Sequence, residues 1–368
     1  MSASGGFGGF GGFGGFGGFG GFGGLANFTG LGGFLGQGDT GSYDAATTMG
    51  LLTTSEALGH LAGIAPPPAS DVLQMNDPAN MSGWAVWVRG SLYLSEFMRG
   101  LAWQVPGAAP DRVSLSFDGA PLAVLHRPSS QVIEDQCRYV RDYAALREER
   151  GTEIVSQLGF PTPYFAMLLG LHSGQHKHTF ELITATQVVA AHVAMVAKAA
   201  LAVRRPDQID ARVQPMLPTP GHPAFPSAHA TEAYAVATVL DHLVKSWGSL
   251  ADEAARRALI YGLAERVAVN RTVAGVHYPI DSWCGATLGS AVGKAVLNRC
   301  GQQTAIREAT YIAADHDFFH LDFSDEARAA ERGLTYAAEG EAADAGPAFG
   351  WLWSRAVAER QGPAPQGG

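Results

Sequence analysis

The chain has 368 residues, 46% of them hydrophobic and only 16% charged, enough for one large domain or two modest ones and well beyond the size of a disulfide-stapled mini-protein. The formal net charge of -9 argues against a broadly basic nucleic-acid surface and makes any anion site a local feature. Cys137, Cys284 and Cys300 are too few and too scattered for a disulfide framework or a four-cysteine zinc site.

Residues 5–22 are six consecutive Gly-Gly-Phe triplets, and Gly/Phe-rich sequence runs on to Gly38 with no charge before Asp39. Glycine maximises the entropy cost of ordering, and phenylalanine at a period of three matches neither a helix face nor a strand face. Residues 1–40 are therefore expected to form a disordered tail, either a passive leader or a Phe-repeat tether for self-association or docking. Collagen is excluded because the first forty residues contain no proline. No basic leader followed by an apolar run opens the chain, so a cytoplasmic address is expected. Outside the tail the longest uncharged, proline-free stretch, Leu182 to Ala197, is sixteen residues long and includes Thr184, Thr186, Gln187 and His192, so no membrane span is expected either.

The remainder reads as mainly α-helical. Residues 41–128 are expected to form an N-terminal helical region with one small hairpin. There Val113, Leu115 and Phe117 alternate up to Asp118-Gly119, and Leu122 and Val124 continue beyond it. A helical domain is expected over 129–339. Its first helix, 129–156, carries Val132, Ile133, Tyr139, Val140, Tyr143, Ala144 and Leu146 at helical spacing and ends before Gly159 and Pro161. The next, 179–204, is apolar on nearly every face and belongs inside a bundle. Further helices are predicted over 228–247, 252–269, 279–298 and 303–315. Over 340–368 the chain turns linker-like, with Pro347, Pro363 and Pro365, although Phe349, Trp351 and Trp353 suit a docked segment.

Three segments concentrate cations, histidines and hydroxyls where a helical core favours none. In the first, Lys198 and Arg205 are seven residues apart and share a face if the helix continues. A buried ammonium there needs an anion or a carboxylate as partner, unless both side chains snorkel from a helix end. The second, Gly221 to His229, is a proline-restrained loop that delivers Ser227 and His229 to a helix start, whose free N–H groups suit an oxyanion. Small Ala228 keeps that backbone accessible, and Ser227 also suits the helix cap. In the third, Asn270 to Asp281, Pro279 fits the first turn of a helix and Asp281 lies four residues beyond His277, within reach of an imidazole nitrogen.

In order, Lys-x6-Arg-Pro, Pro-Ser-Ala-His and Arg-x5-His-x3-Asp resemble the three-part motif of the type 2 phosphatidic acid phosphatase (PAP2) and vanadium haloperoxidase superfamily, from Phe165 to Leu297. Ala228 replaces that family's usual glycine, and Asn270 its usual serine before the arginine. The resemblance implies an all-helical bundle around an oxyanion site. In it Lys198, Arg205 and Arg271 would neutralise phosphate or vanadate, and Ser227 with the Ala228 amide would donate to its oxygens. His277 would be the nucleophile of a phosphatase or the apical vanadium ligand of a peroxidase, His229 the acid–base residue, and Asp281 the group that orients His277.

His222, five residues before Ser227, is similar to the histidine in the same loop of algal bromoperoxidases and would tune the halide. That favours a vanadium-dependent haloperoxidase-like enzyme with vanadate as cofactor and hydrogen peroxide and halide as substrates. The short spacers between motifs are similar to those of compact soluble phosphatases. The alternative is therefore a phosphomonoesterase or pyrophosphatase that hydrolyses a phosphate ester through a phosphohistidine and needs no cofactor. His172, His176, His178 and Glu181 fit no zinc spacing and read as a polar loop, and His192 reads as a hydrogen-bonded core residue.

Overall fold

The computed structural model describes residues 45–60, 73–107 and 110–361. The Gly/Phe tail expected over residues 1–40 lies outside the described residues. In chain order the elements are α1 (Ala45–Leu58), α2 (Val86–Met98), β1 (Leu101–Gln104), β2 (Arg112–Phe117), β3 (Ala120–His126), α3 (Ser130–Asp142), α4 (Arg147–Ser156), α5 (Thr162–Leu169), α6 (Lys177–Leu201), α7 (Ala228–Trp247), α8 (Glu253–Val273), α9 (Pro279–Arg299), β4 (Ile306–Tyr311), α10 (His320–Phe323), α11 (Glu326–Glu331), β5 (Leu334–Glu341) and α12 (Pro347–Gln361). The fold is mainly α, with one five-stranded sheet against the bundle.

Helix α7 is the axis of that bundle, packed on α6, α8 and α9. Ser227 caps its start by accepting from Ala230 N, and Gly248, at φ 59°, ends it in the left-handed region. The tightest crossing is with α9, which presents Gly285, Gly289 and Gly293 at four-residue intervals along one face. A side-chain carbon at Gly285 would lie 2.6 Å from Ser227 O and one at Gly293 2.7 Å from Thr238 Cβ, while at Gly289 it would run into Thr231 O. Hydrogen alone fits there, and the α7 backbone comes to rest on the α9 backbone.

Several sequence expectations change. The 129–156 helix is two, α3 and α4, joined by a 3-10 turn at Tyr143–Leu146. The 303–315 helix is instead the strand β4, whose Ile306, Ala309 and Tyr311 face inward and which pairs parallel with β3 and antiparallel with β5. β-branched and aromatic residues fit that pleated surface, and pairing overrides any local helical pattern. The hairpin at Asp118-Gly119 is present, but it belongs to a sheet ordered β1-β2-β3-β4-β5, which joins strands from either side of the boundary expected at 128.

The stretch expected to be a linker from 340 onward holds the last two residues of β5 and all of α12. Glu96 of α2 accepts from Ala348 N and Phe349 N at the start of α12. In return Glu359 of α12 accepts from His178 N and Thr179 N at the start of α6. Each carboxylate meets helix N–H groups that have no partner within their own helix. Trp247 Nε1 donates to Ala356 O at 3.0 Å and completes the dock.

Among the described residues one stretch, Lys177–Gln208, is long and apolar enough to cross a membrane by length and composition, and 67% of its apolar window is buried inside the protein. The sixteen-residue count of Leu182 to Ala197 ends at the first charge and so undercounts a segment that tolerates Lys198 near its end. Thr179 to Ala191 are buried without interruption within the bundle, which accounts for an apolar composition on nearly every face there.

The α7–α9 crossing makes a signed prediction. Gly289→Ala should destabilise the fold by about 1–3 kcal/mol through backbone overpacking. Gly262→Ala, on the exposed face of α8 with nothing within 4 Å, should stabilise it by roughly 0.5–1 kcal/mol. Urea midpoints of the two variants moving in the same direction would contradict this packing account.

Candidate functional site

The three segments meet at one end of the bundle. Helix α6 stops at Leu201, with Ala202 at φ 49°, so Arg205 is not on the helix as the seven-residue spacing suggested. It follows in extended backbone, at φ -72° and ψ 156°, and turns back toward the starts of α7 and α9. Arg205 Nε donates to His222 O at 3.0 Å, Nη1 to Val276 O at 2.7 Å and to His277 Nε2 at 2.9 Å, and Nη2 to His222 Nδ1 at 3.1 Å. Lys198 Nζ donates to the carbonyls of Pro223 and Ala224 at 2.7 and 2.8 Å. Arg271 Nη2 donates to Ile154 O and Gln157 Oε1 at 3.2 and 3.1 Å.

Arg205, His222, Ala228, His229, Arg271 and His277 wall a cavity of about 50 Å³, closed by Leu158, Leu217, Pro218, Pro220 and Val276. That is room for a few water-sized groups or one tetrahedral oxyanion. Lys198 and Ser227 are buried but are not among the lining residues; Lys198 instead holds the loop that carries His222. Asp281 stands behind His277 and accepts from its Nδ1 at 2.7 Å and from Tyr278 N at 3.0 Å. The proton is therefore on Nδ1, and Nε2 keeps the lone pair that meets Arg205. The Ser227 hydroxyl accepts from Ala230 N at 3.4 Å as the cap of α7.

Burial, and after it the neighbouring charges, explains the protonation states. Lys198, Arg205 and Arg271 are each 1% exposed, and among the described residues none of them forms an ion pair with a carboxylate. Burial lowers Arg205 and Arg271 to about 10. Lys198 is lowered well below the usual lysine range, by burial and then by Arg205. The histidines follow. His277 is pushed far down by burial and then Arg205, His229 by burial and then Arg271, and His222 to about 3 by burial and then Lys198. All three are neutral at physiological pH, while burial raises Asp281 to about 7.

Other groups that complete the site carry no motif. Gln157, at the end of α4, accepts from His229 Nε2 at 3.0 Å through its backbone carbonyl and from Arg271 through its side chain. Asn270, the departure from the family's serine, donates to Gln157 Oε1 at 3.0 Å and to Glu153 Oε1 at 2.8 Å, so it fixes the acceptor that Arg271 uses. Glu232 is fully buried on α7, one turn below Ala228. The other histidine candidates sit elsewhere: His178 bonds Glu359, Glu181 bonds Arg89 and Tyr93, and His192 Nδ1 donates to Val188 O. Among the described residues no group of three or more His, Cys, Asp or Glu side chains is arranged to hold a metal ion.

The His277–Asp281 pair yields a prediction at pH 8, above the range in which burial keeps a proton on Asp281. Asp281→Asn removes the charge behind His277 and adds an amide hydrogen-bonding group to a buried site where Asp281 Oδ1 has no partner. Orthovanadate binding should weaken by ~10–100-fold with unchanged circular dichroism. Equal affinity in the two proteins would remove Asp281 from the site.

Residues 179–304, about a third of the chain, match the family model described as the PAP2 superfamily. No curated protein matches the sequence. Among solved structures the chain is similar to the first transmembrane PAP2 type phosphatidylglycerolphosphate phosphatase from Bacillus subtilis, with 20% identity, a TM-score of 0.35, and coverage of 45% of this chain and 84% of that one. It is also similar to the first bacterial vanadium-dependent iodoperoxidase, with 19% identity, a TM-score of 0.33, and coverage of 43% of this chain and 46% of that one. The match thus spans about half of the iodoperoxidase chain. The segment that carries all three motifs, residues 179–304, belongs to the PAP2 superfamily.

Proposed function

We propose that this protein is an oxyanion-binding enzyme of the vanadium haloperoxidase type, which oxidises halide with hydrogen peroxide in the pocket walled by His277, His229 and His222. The observation that carries this reading is His222. It lies in the wall of a cavity of about 50 Å³, Arg205 donates to its Nδ1, and its buried Nε2 has no partner. A space of that size suits reagents as small as peroxide and halide. His222 Nδ1 lies 3.1 Å from both Arg205 Nη2 and the Pro223 carbonyl, and in the tautomer that accepts from Arg205 the proton is on Nε2, the donor left for them.

The residues fit vanadate. Among the described residues three buried cations form no ion pair with a carboxylate, Arg271 Nε has no partner, and the first-turn N–H groups of α7 open at Ala228. Vanadate bound there would supply the Lewis acid that activates peroxide. Lys198, Arg205 and Arg271 would hold its charge, and His277 Nε2, kept deprotonated by the Nδ1–H to Asp281 bond, would be its protein ligand once Arg205 Nη1 turns from that nitrogen to the anion. Burial is the larger cause of His229's low basicity and Arg271 the second; once an anion offsets Arg271, that second contribution falls, and His229 gains basicity at Nδ1 while Nε2–H stays on Gln157 O. His229 is then placed to hold and move a proton.

The His277–Asp281 geometry also supports a second reading, a phosphatase in which His277 Nε2 attacks phosphorus and the same cations stabilise the five-coordinate transition state. One titration separates the two. Protein prepared free of vanadium should oxidise no bromide and should gain that activity on adding vanadate, saturating near one equivalent, with His222→Ala lowering bromide oxidation more than vanadate affinity. Hydrolysis of a simple phosphate ester before vanadate is added, abolished by it as a transition-state analogue, together with no halide oxidation, would replace the first reading with the second. Its localisation, for which we propose the cytoplasm, is a separate question that this titration leaves aside.

A further inference from the structure

Glu232 is a buried carboxyl group that neither chemistry uses. It lies three residues after His229 and four after Ala228 on α7, so it shares their helix face, one turn deeper in the bundle. It has no exposed surface, and neither of its carboxyl oxygens has a hydrogen-bond partner. Of the helices packed on α7, α6 brings Lys198 and α8 brings Arg271 within electrostatic reach of it. From α9, Gly285 and Gly289 face Ser227, Ala230 and Thr231 beside it, and the charged groups that act on Glu232 are Lys198 and Arg271. α12 meets α7 at the far end, at Trp247. Glu232 therefore shares two of its charged neighbours with the oxyanion pocket and has no hydrogen bond of its own to hold it in one ionisation state.

We propose that Glu232 is the proton-linked counter-charge of the pocket: ionised when the pocket is empty at alkaline pH, and protonated when a tetrahedral dianion occupies it. This rests on the oxyanion reading of the site. Two forces oppose each other at this carboxyl. Burial favours the neutral acid, while Lys198 and Arg271 favour the carboxylate, and burial prevails, so the group titrates well above the usual carboxylate range. A dianion beside Arg271 cancels the positive potential and adds a like charge. Both changes favour the acid, so the proton goes from solvent to a Glu232 oxygen as the anion enters. By linkage the anion prefers the protonated form, and affinity falls as pH rises, by up to tenfold per pH unit for one linked proton.

Sulfate is the probe, because it is a tetrahedral dianion with no proton of its own to exchange across pH 6–10. The full-length protein, with glutamate labelled by 13C at the side-chain carboxyl, is examined by infrared difference spectroscopy with and without sulfate. The label separates glutamate from Asp281. Sulfate should increase the band of protonated, labelled glutamate at alkaline pH, and Glu232→Gln should abolish that increase. Calorimetry in buffers of different ionisation enthalpy should then show up to one fewer proton taken up per sulfate by Glu232→Gln than by the wild type. Sulfate binding with no change in the labelled band at any pH in the series overturns the inference and leaves the oxyanion site standing. No sulfate binding at all overturns both. The infrared measurement on wild-type protein decides the matter even if Glu232→Gln does not fold.

Discussion

Three cations buried at one end of a helical bundle without carboxylate partners are the constraint on which the rest of the site depends. The contrast is within the same molecule. Arg89 is buried against Glu181 at 2.6 Å, and Arg299 against Asp118 at 2.6 Å. Lys198, Arg205 and Arg271 receive only neutral acceptors: carbonyls, an amide oxygen and two imidazole nitrogens. Those dipoles offset part of the several kcal/mol that each buried ion costs, but they leave the net charge in place. Burial first, and then the remaining potential, keeps three histidines neutral, and that potential leaves the pocket complementary to an anion before one arrives, which is the preorganisation that electrostatic catalysis requires.

Holding like charges together demands a rigid frame, and the packing supplies it. Each long helix contributes at its end: α6 brings Lys198, the start of α7 brings Ala228 and His229, the end of α8 brings Arg271, and the start of α9 brings Asp281. The glycine face of α9 draws α7 close enough for Ser227 N to donate to Asp281 O at 2.9 Å, tying the loop that bears His222 to the helix that orients His277. Elements outside the PAP2 segment brace this frame. Arg299, at the end of α9, is held by Asp118 in the hairpin turn and by the Asp344 carbonyl before α12. The sheet and the last helix therefore anchor the far end of a helix whose near end positions His277.

The helices of the bundle and the candidate residues were legible in the sequence because both are written locally. Apolar periodicity, Ser227, Pro279 and Gly248 mark the helix ends, and spacing alone puts Asp281 one turn from His277. The helix α12 was legible too, since Phe349, Leu352, Trp353 and Ala356 recur at helical intervals, but neighbouring prolines and glycines drew the reading toward a linker. Strand β4 was not legible, because its identity comes from pairing with β3, some 180 residues earlier. The extended course of Arg205 was likewise hidden: a seven-residue spacing fits a helix, and only the break at Ala202 shows otherwise.

By itself, then, the sequence determined which groups carry charge, which segments are helical and which residues belong to the three-part motif, since these follow from residue type and near-neighbour spacing. Tertiary structure alone decided that Lys198 stands outside the cavity wall while His222 stands in it, that Asn270 and Gln157 hold Arg271, and that Glu232 lies buried beneath the site with no partner. The reason is physical. Burial, and with it the strength of every charge, is a property of the elements packed around a residue, and those elements come from distant parts of the chain.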